Sequence, residues 1–248
     1  SMLFGMFFGA GNLIFPLILG AEAGWNLPAA LLGLLITAAG IPLLGVMSIG
    51  LSRSEGLLDL SGRVSPRFRS LFTCALYLTI GPLFAIPRCA AASFTIGMAS
   101  AAGENMRLWQ LGFSLCFFGA VLYFSLRPSR ILDSVGKFLN PAFLLFLGIM
   151  LAAALIRPVQ TAASVVPSGD YVHSAFSAGF LQGYDTLDAL AGLAFGIVVI
   201  RAVRQLGVTE PGRVAVNTVK AGIVSMSLMA LIYALTALVG AQSFGLYA

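Results

Sequence analysis

Charged residues are scarce in this 248-residue chain, and the scarcity argues against a water-soluble fold. Only 9% of the residues are Asp, Glu, Lys or Arg, whereas 59% are hydrophobic. Soluble domains carry roughly 25% charged residues. Cysteine and histidine are also rare, with three cysteines that form no Cys-x-x-Cys pair and one histidine. The composition therefore argues against a disulfide framework and against a histidine and cysteine metal cluster as well.

Long apolar runs are what the chain has instead. A helix needs about 20 apolar residues to cross a hydrocarbon layer roughly 30 Å thick. Seven segments meet that requirement, and no polar linker separates them, so we expect one all-α, polytopic transmembrane domain over residues 1–248 that begins inside its first helix. The predicted spans are 2–20, 27–52, 70–102, 111–126, 138–156, 176–200 and 214–242.

Most of the basic residues lie in three clusters between these segments. The clusters fall at 53–69, 127–137 and 201–213, in every second connection. Because cytoplasmic loops are enriched in Lys and Arg, this alternation predicts a cytoplasmic N-terminus and an external end after the seventh crossing. Membrane topology also accounts for the net charge of +5 without a nucleic-acid partner.

The first and sixth segments contain residues that a simple membrane anchor would not have. Residues 5–12 read Gly-Met-Phe-Phe-Gly-Ala-Gly-Asn, and residues 179–188 read Gly-Phe-Leu-Gln-Gly-Tyr-Asp-Thr-Leu-Asp. Glycine weakens a helix and polar side chains are costly against lipid, so both stretches should line a protein interior or a wet cavity. Each Gly-x-x-x-Gly pair could instead mark close packing of two helices.

The two interruptions open segments one and six. That spacing is typical of the LeuT-like inverted repeat of five plus five helices. It predicts a first repeat over about 1–156 and the start of a second over 176–248. An interrupted helix exposes free carbonyls and free amides, which can hold a cation and a carboxylate. The predicted substrate and ion site comprises Gly9, Ala10, Gly11 and Asn12, with sodium at Gly9, Ala10 and Asn12, and Gly183, Tyr184, Asp185, Thr186 and Asp188 of the second interruption.

Three ionisable residues lie inside the predicted spans, namely Arg88, Asp185 and Asp188. We expect Arg88 to be a buried structural or gating cation in an ion pair with Asp188 or Asp185, although in a tilted helix it could also snorkel to the interface. Two aspartates three residues apart share one helix face, so one of them could be protonated, paired with Arg88 or bound to a cation. Alternatively, Asp185 could cap the second half-helix.

Five stretches give the chain a family resemblance. They are Phe-Phe-Gly-Ala-Gly-Asn-Leu-Ile-Phe-Pro at 7–16, Gly-Ile-Pro-Leu-Leu-Gly-Val at 40–46, Gly-Pro-Leu-Phe-Ala-Ile-Pro-Arg at 81–88, Ser-Leu-Arg-Pro-Ser-Arg at 125–130 and Gly-Tyr-Asp-Thr-Leu-Asp-Ala-Leu at 183–190. In these residues the chain resembles the branched-chain amino acid:cation symporter (LIVCS) family.

The resemblance implies a function and a fold. It implies sodium-coupled symport of leucine, isoleucine and valine across the bacterial inner membrane by alternating access, on a LeuT-like fold of the APC superfamily. It also implies about twelve helices, so that a chain with seven lacks the last five or so. The expected partners are the amino acid, sodium or a proton, and membrane lipid, with the coupling ion in place of any cofactor.

Three other functions are conceivable for a multi-pass membrane protein. The serious rival is a proton-coupled transporter of another small amino acid or metabolite, because Asp185 and Asp188 could relay a proton. An intramembrane enzyme is not expected, since the segments contain no Ser/His/Asp set, metal cluster or paired catalytic acids. A channel would need a repeated ring or filter motif, whereas the two interruptions differ in sequence.

Overall fold

The structure is a computed structural model that describes residues 2–9, 11–52, 54, 56–99, 103–126, 140–156, 165–208 and 210–243. All regular secondary structure in these residues is helical. The helices α1 to α12 are, in order, Met2–Phe7, Gly11–Ala23, Leu27–Leu35, Ile41–Leu51, Leu57–Gly62, Pro66–Leu78, Ala85–Gly97, Met106–Ser125, Asn140–Ile156, Tyr171–Asp185, Asp188–Gln205 and Pro211–Ser243.

Every predicted apolar segment coincides with one or two of these helices. Four helical stretches in the described residues are long and apolar enough to cross a membrane, or five if the bent pair α10 and α11 is one span. They are Gly11–Leu51, Pro66–Gly97, Met106–Ser125 and Pro211–Ser243. α9 is apolar but shorter. The all-helical membrane fold is thus confirmed, while the count of seven spans stays a prediction.

The stretch Gly11–Leu51 reverses direction at Gly24. This glycine has a φ of 50°, and a short 3-10 turn over Gly24–Asn26 follows α2. The start of α12 lies beside the end of α4, where Thr218 meets Gly50, and the end of α12 lies beside the end of α2, where Ala237 meets Gly20. α2 therefore runs parallel to α12, and α4 runs antiparallel to both.

Two wider π-helical turns interrupt the regular α-helix, one in the stretch Gly11–Leu51 and one in Pro66–Gly97. One joins α3 to α4 over Ile36–Gly40, and the other joins α6 to α7 over Thr79–Leu83, where it contains Pro82 and a non-helical Gly81. Proline has no N–H for the helical ladder, so kinks at such positions are expected. The second turn redirects α7 and the arginine on it toward the interrupted helices.

Glycine brings α10 into close contact with α3. An added Cβ at Gly179 would lie 2.0 Å from the carbonyl oxygen of Ala30, and one at Gly183 would lie 1.8 Å from Oγ1 of Thr37. Only hydrogen fits at either position. For this Gly-x-x-x-Gly pair the helix-packing interpretation is therefore correct.

Candidate functional site

The first interruption lies between α1 and α2. α1 ends at Phe7, Phe8 and Gly9 are not helical, and helix resumes at Gly11. The backbone N–H of Gly9 donates to Oδ1 of Asn12 at 3.0 Å, and the N–H of Asn12 donates to the carbonyl of Gly9 at 3.1 Å. The interruption predicted at 9–12 is confirmed, although it ends earlier than predicted because Gly11 and Asn12 already belong to α2. Ala10 lies outside the described residues.

The second interruption separates α10 from α11. α10 ends at Asp185, Leu187 adopts a left-handed conformation with φ of 64°, and α11 begins at Asp188. Oγ1 of Thr186 accepts from the N–H of Asp188 at 3.3 Å. The break thus lies at 186–187, later than the predicted 183–186, and Gly183 remains helical because it packs against α3. Asp185 is the last residue of α10, so the expectation that it caps the second half-helix is wrong.

Side chains from both interrupted helices meet at one buried cluster. Nδ2 of Asn12 donates to Oδ2 of Asp188 at 2.7 Å and also to the hydroxyl of Tyr233 on α12. That hydroxyl donates in turn to Oδ2 of Asp188 at 2.5 Å. Asn12 and Asp188 are each 2% exposed and Tyr233 is 0% exposed. We call these three residues the buried triad; it joins α2, α11 and α12 at the two interruptions.

The carboxyl group of Asp188 is buried and has several hydrogen-bond donors around it. It belongs to the first residue of α11, where backbone amides have no helical partner and the helix dipole favours negative charge. Two neutral side chains, those of Asn12 and Tyr233, donate to it. Because a buried charge is costly unless it is hydrogen-bonded, these donors explain how an acid is retained at this position.

Arg88 contacts the second interruption without an ion pair. Its Nη1 donates to the backbone carbonyl of Asp185, and its guanidinium carbon lies 5.3 Å and 5.5 Å from the ring centroids of Phe15 and Phe84. In the described residues no carboxylate lies within ion-pair distance of it, so the predicted pair with Asp188 or Asp185 is wrong. The last carbonyls of a helix are free acceptors, and Arg88 meets one of them at the end of α10.

Not all of the predicted site residues come together. Gly9, Asn12, Thr186 and Asp188 surround the two interruptions, and Gly11 lies beside Arg88. The other three predicted residues do not join them. Gly183 faces Thr37 of the π-helical turn, and the side chain of Asp185 is exposed. Tyr184 is 44% exposed and packs against Phe180. Whether each residue binds substrate or ion stays a prediction.

Sequence reasoning did not single out Tyr233. The signal was present, because a tyrosine hydroxyl in the middle of a 33-residue apolar helix needs a partner when it is buried. Its partners lie 45 and 221 residues away along the chain. The sequence alone could therefore flag the hydroxyl but not show where it points.

Oxygen atoms are the groups near the interruptions that could hold a cation. The described residues contain no group of three or more His, Cys, Asp or Glu side chains arranged for a metal ion. Hard cations prefer carboxylate, carbonyl, amide and hydroxyl oxygens. The side chains of Asn12, Thr186 and Asp188 and the carbonyl of Gly9 supply all four kinds, so their chemistry fits a hard cation.

The apolar helices and the buried triad define a multi-pass membrane protein. Comparison with known proteins then gives the family. The model of the family described as "Branched-chain amino acid transport protein" matches residues 1–247, and the chain belongs to that family. The resemblance to branched-chain amino acid carriers is thereby confirmed.

Individual relatives carry matching names. The chain is 55% identical over 245 residues to the branched-chain amino acid permease BrnQ of Lactobacillus delbrueckii subsp. lactis. It is 42% identical over 243 residues to BrnQ and 42% identical over 245 residues to BraB, both of Bacillus subtilis (strain 168). These matches cover 98% of this chain and 54–55% of each relative, so the chain spans about half of their length. No solved structure matches it.

Proposed function

We propose that this chain is part of a secondary transporter that moves leucine, isoleucine and valine into the cell together with sodium, by alternating access. The observation that carries the proposal is the buried triad, in which Asn12 of the first interrupted helix contacts Asp188 of the second. The relatives' names, which describe branched-chain amino acid permeases, support the substrate class.

The chemistry around the triad suits an amino-acid zwitterion and a cation. The free amides at the start of α2 and α11 favour a carboxylate, whereas carbonyls such as that of Gly9 and the carboxylate of Asp188 favour an ammonium group or a metal cation. Both kinds of group occur within a few residues of each interruption. A single site could therefore hold the substrate and the coupling ion together, which is the simplest physical basis for symport.

The arrangement also supports a LeuT-like inverted-repeat fold. Interrupted helices at the midplane, one in each repeat, are how that class of transporter builds its substrate and ion sites. Here α1 with α2 and α10 with α11 are the interrupted pairs, and the triad joins them. In our proposal the two pairs move relative to the rest of the domain during transport.

A common end for two of the three basic segments supports the proposed orientation in the bacterial inner membrane, while the third segment, 127–137, lies outside the described residues. Nη2 of Arg63 donates to the carbonyl of Ser52 at the end of α4, and that end packs against the start of α12, which carries Arg213. Met6 of α1 lines a cavity with Leu206, near the same end. The positive-inside rule then gives a cytoplasmic N-terminus.

One observation favours proton coupling as a second candidate. The carboxylate of Asp188 is 2% exposed, and the side chains that bond to it, Asn12 and Tyr233, are neutral. A buried intramembrane acid with neutral partners can exchange a proton. The protein would then carry an amino acid or another small metabolite with a proton rather than with sodium.

Uptake into proteoliposomes tests the proposal. The full-length protein would be reconstituted and labelled leucine uptake measured under an inward sodium gradient, under a choline gradient of equal ionic strength, and under an inward proton gradient without sodium. We expect leucine, isoleucine and valine to accumulate only when sodium is supplied. Accumulation driven by the proton gradient alone would favour the second candidate, and no leucine uptake under any gradient would contradict the symport of branched-chain amino acids with sodium.

A further inference from the structure

A small cavity borders the first interruption. Its volume is about 200 Å³, below the roughly 300–1,000 Å³ of pockets for drug-sized ligands. Its lining residues are Gly11, Ile14, Phe15, Arg88, Cys89 and Ala92. The cavity thus lies between α2 and α7, and it has room for a short side chain rather than a large ligand.

Its lining joins apolar groups to one cation. Arg88, Cys89 and Ala92 occupy one face of α7, with Arg88 and Ala92 one helical turn apart. Gly11 leaves the guanidinium room, because an added Cβ would lie 3.2 Å from Nη2 of Arg88 and 3.2 Å from the ring of Phe15. The surface of the cavity is almost entirely apolar, so a ligand group that fits inside it is short and apolar.

The guanidinium has donors to spare. Arginine carries five N–H donors. In the described part of the chain its one hydrogen-bond acceptor is the carbonyl of Asp185, reached through Nη1. The remaining donors can bind a carboxylate in the two-pronged geometry that guanidinium favours. A branched-chain amino acid has both the apolar body and the carboxylate that the lining requires.

We infer that this cavity receives the apolar side chain of the carried amino acid, that Arg88 at its edge is a further donor to the substrate carboxylate beside the helix amides, and that Ala92 sets the size of side chain accepted. The inference rests on the proposed function and adds to it the residues that determine specificity. Ala92 has this role because any larger side chain at its position would project into the space that a leucine side chain needs.

Substitution of Ala92 tests the inference through selectivity. One methylene group in an apolar pocket changes discrimination by roughly 10- to 200-fold. In the full-length protein, Ala92→Leu should weaken leucine binding by about tenfold or more while alanine binding changes much less. Ala91→Leu is the matched control, since Ala91 is the neighbouring residue on α7, is exposed and does not line the cavity. Equal weakening of leucine and alanine binding by Ala92→Leu would overturn the inference.

Cys89 provides a second measurement that does not depend on an enlarged side chain. The full-length protein with Cys89 as its sole cysteine would be treated with a small thiol reagent, with and without leucine. Leucine should slow the labelling of Cys89 severalfold. A protein whose sole cysteine is Cys74, which is exposed on α6, should be labelled at the same rate in both conditions. Labelling of Cys89 that leucine does not slow would also overturn the inference.

Different results would rule out the transport function and the role of the cavity. If the unmodified protein neither binds nor takes up a branched-chain amino acid, the proposed function fails. If it does so, but Ala92→Leu leaves selectivity unchanged and leucine leaves Cys89 unprotected, then the function stands and only the assignment of the cavity fails.

Discussion

Replacing Tyr233 by phenylalanine removes one hydroxyl from the buried triad and leaves the ring in place. The hydroxyl both donates to Oδ2 of Asp188 and accepts from Nδ2 of Asn12. Because Tyr233 is 0% exposed, water cannot replace either bond from outside. The variant therefore isolates the contribution of the link between α12 and the two interrupted helices.

The size of the effect depends on which class of hydrogen bond the triad represents. Ordinary side-chain hydrogen bonds between membrane helices average about 0.6 kcal/mol, whereas bonds to a charged group contribute about 1.5–3 kcal/mol. The acceptor here is the carboxylate of Asp188, which is 2% exposed, so the second range applies. Tyr233→Phe should therefore lower the free energy of unfolding by about 1.5–3 kcal/mol, and leucine binding should weaken as well because the site loses one of its fixed polar groups.

The assay is equilibrium binding of labelled leucine to the full-length protein, with thermal unfolding measured in parallel. Tyr77→Phe is the matched control, because Tyr77 is 46% exposed on α6. That control should change stability by no more than about 0.5 kcal/mol. Wild-type affinity and wild-type stability in Tyr233→Phe would refute the assignment of a functional role to the triad.

Two further predictions follow from the packing and from Arg88. Gly183→Ala should destabilise the protein by about 1–3 kcal/mol or more, because its Cβ would lie 1.8 Å from Oγ1 of Thr37. Gly112→Ala is the control and should be tolerated, since nothing lies within 4 Å of its added Cβ. Thermal unfolding of both variants checks this, and equal stability of the two would contradict it. Arg88→Asp combined with Asp188→Arg should not recover leucine uptake lost in the single variants, because Arg88 donates to a backbone carbonyl; recovery by the exchange would reinstate an ion pair.

The two interruptions could be predicted because their cause is local. Glycine and asparagine at 9–12 would destabilise a continuous helix that faces lipid, and the structure interrupts the helix at the start of this stretch. The second interruption was predicted too early because Gly183 was interpreted as part of it. Only glycine fits at 183, because Thr37 packs against it, and Thr37 lies 146 positions earlier in the chain. A contact between residues so far apart in sequence leaves no local sequence pattern.

The partners of the polar groups could not be predicted for the same reason. An arginine and two aspartates in apolar segments suggested an ion pair, yet Arg88 contacts a backbone carbonyl, a group that every residue has. Asp188 instead pairs with Asn12 and Tyr233, and the sequence shows only that the hydroxyl of Tyr233 needs a partner, not which one. Sequence indicates which groups need partners, but the packing decides which ones they find.

The most direct test of the account is leucine binding to the full-length protein with Asn12 replaced by leucine. This change removes the donor to Asp188 and Tyr233 and the acceptor for the backbone of Gly9. Because it leaves buried polar groups unpaired in a site that water cannot easily enter, affinity should fall about tenfold or more in sodium. Unchanged affinity in Asn12→Leu would contradict the claim that the two interruptions form the substrate site.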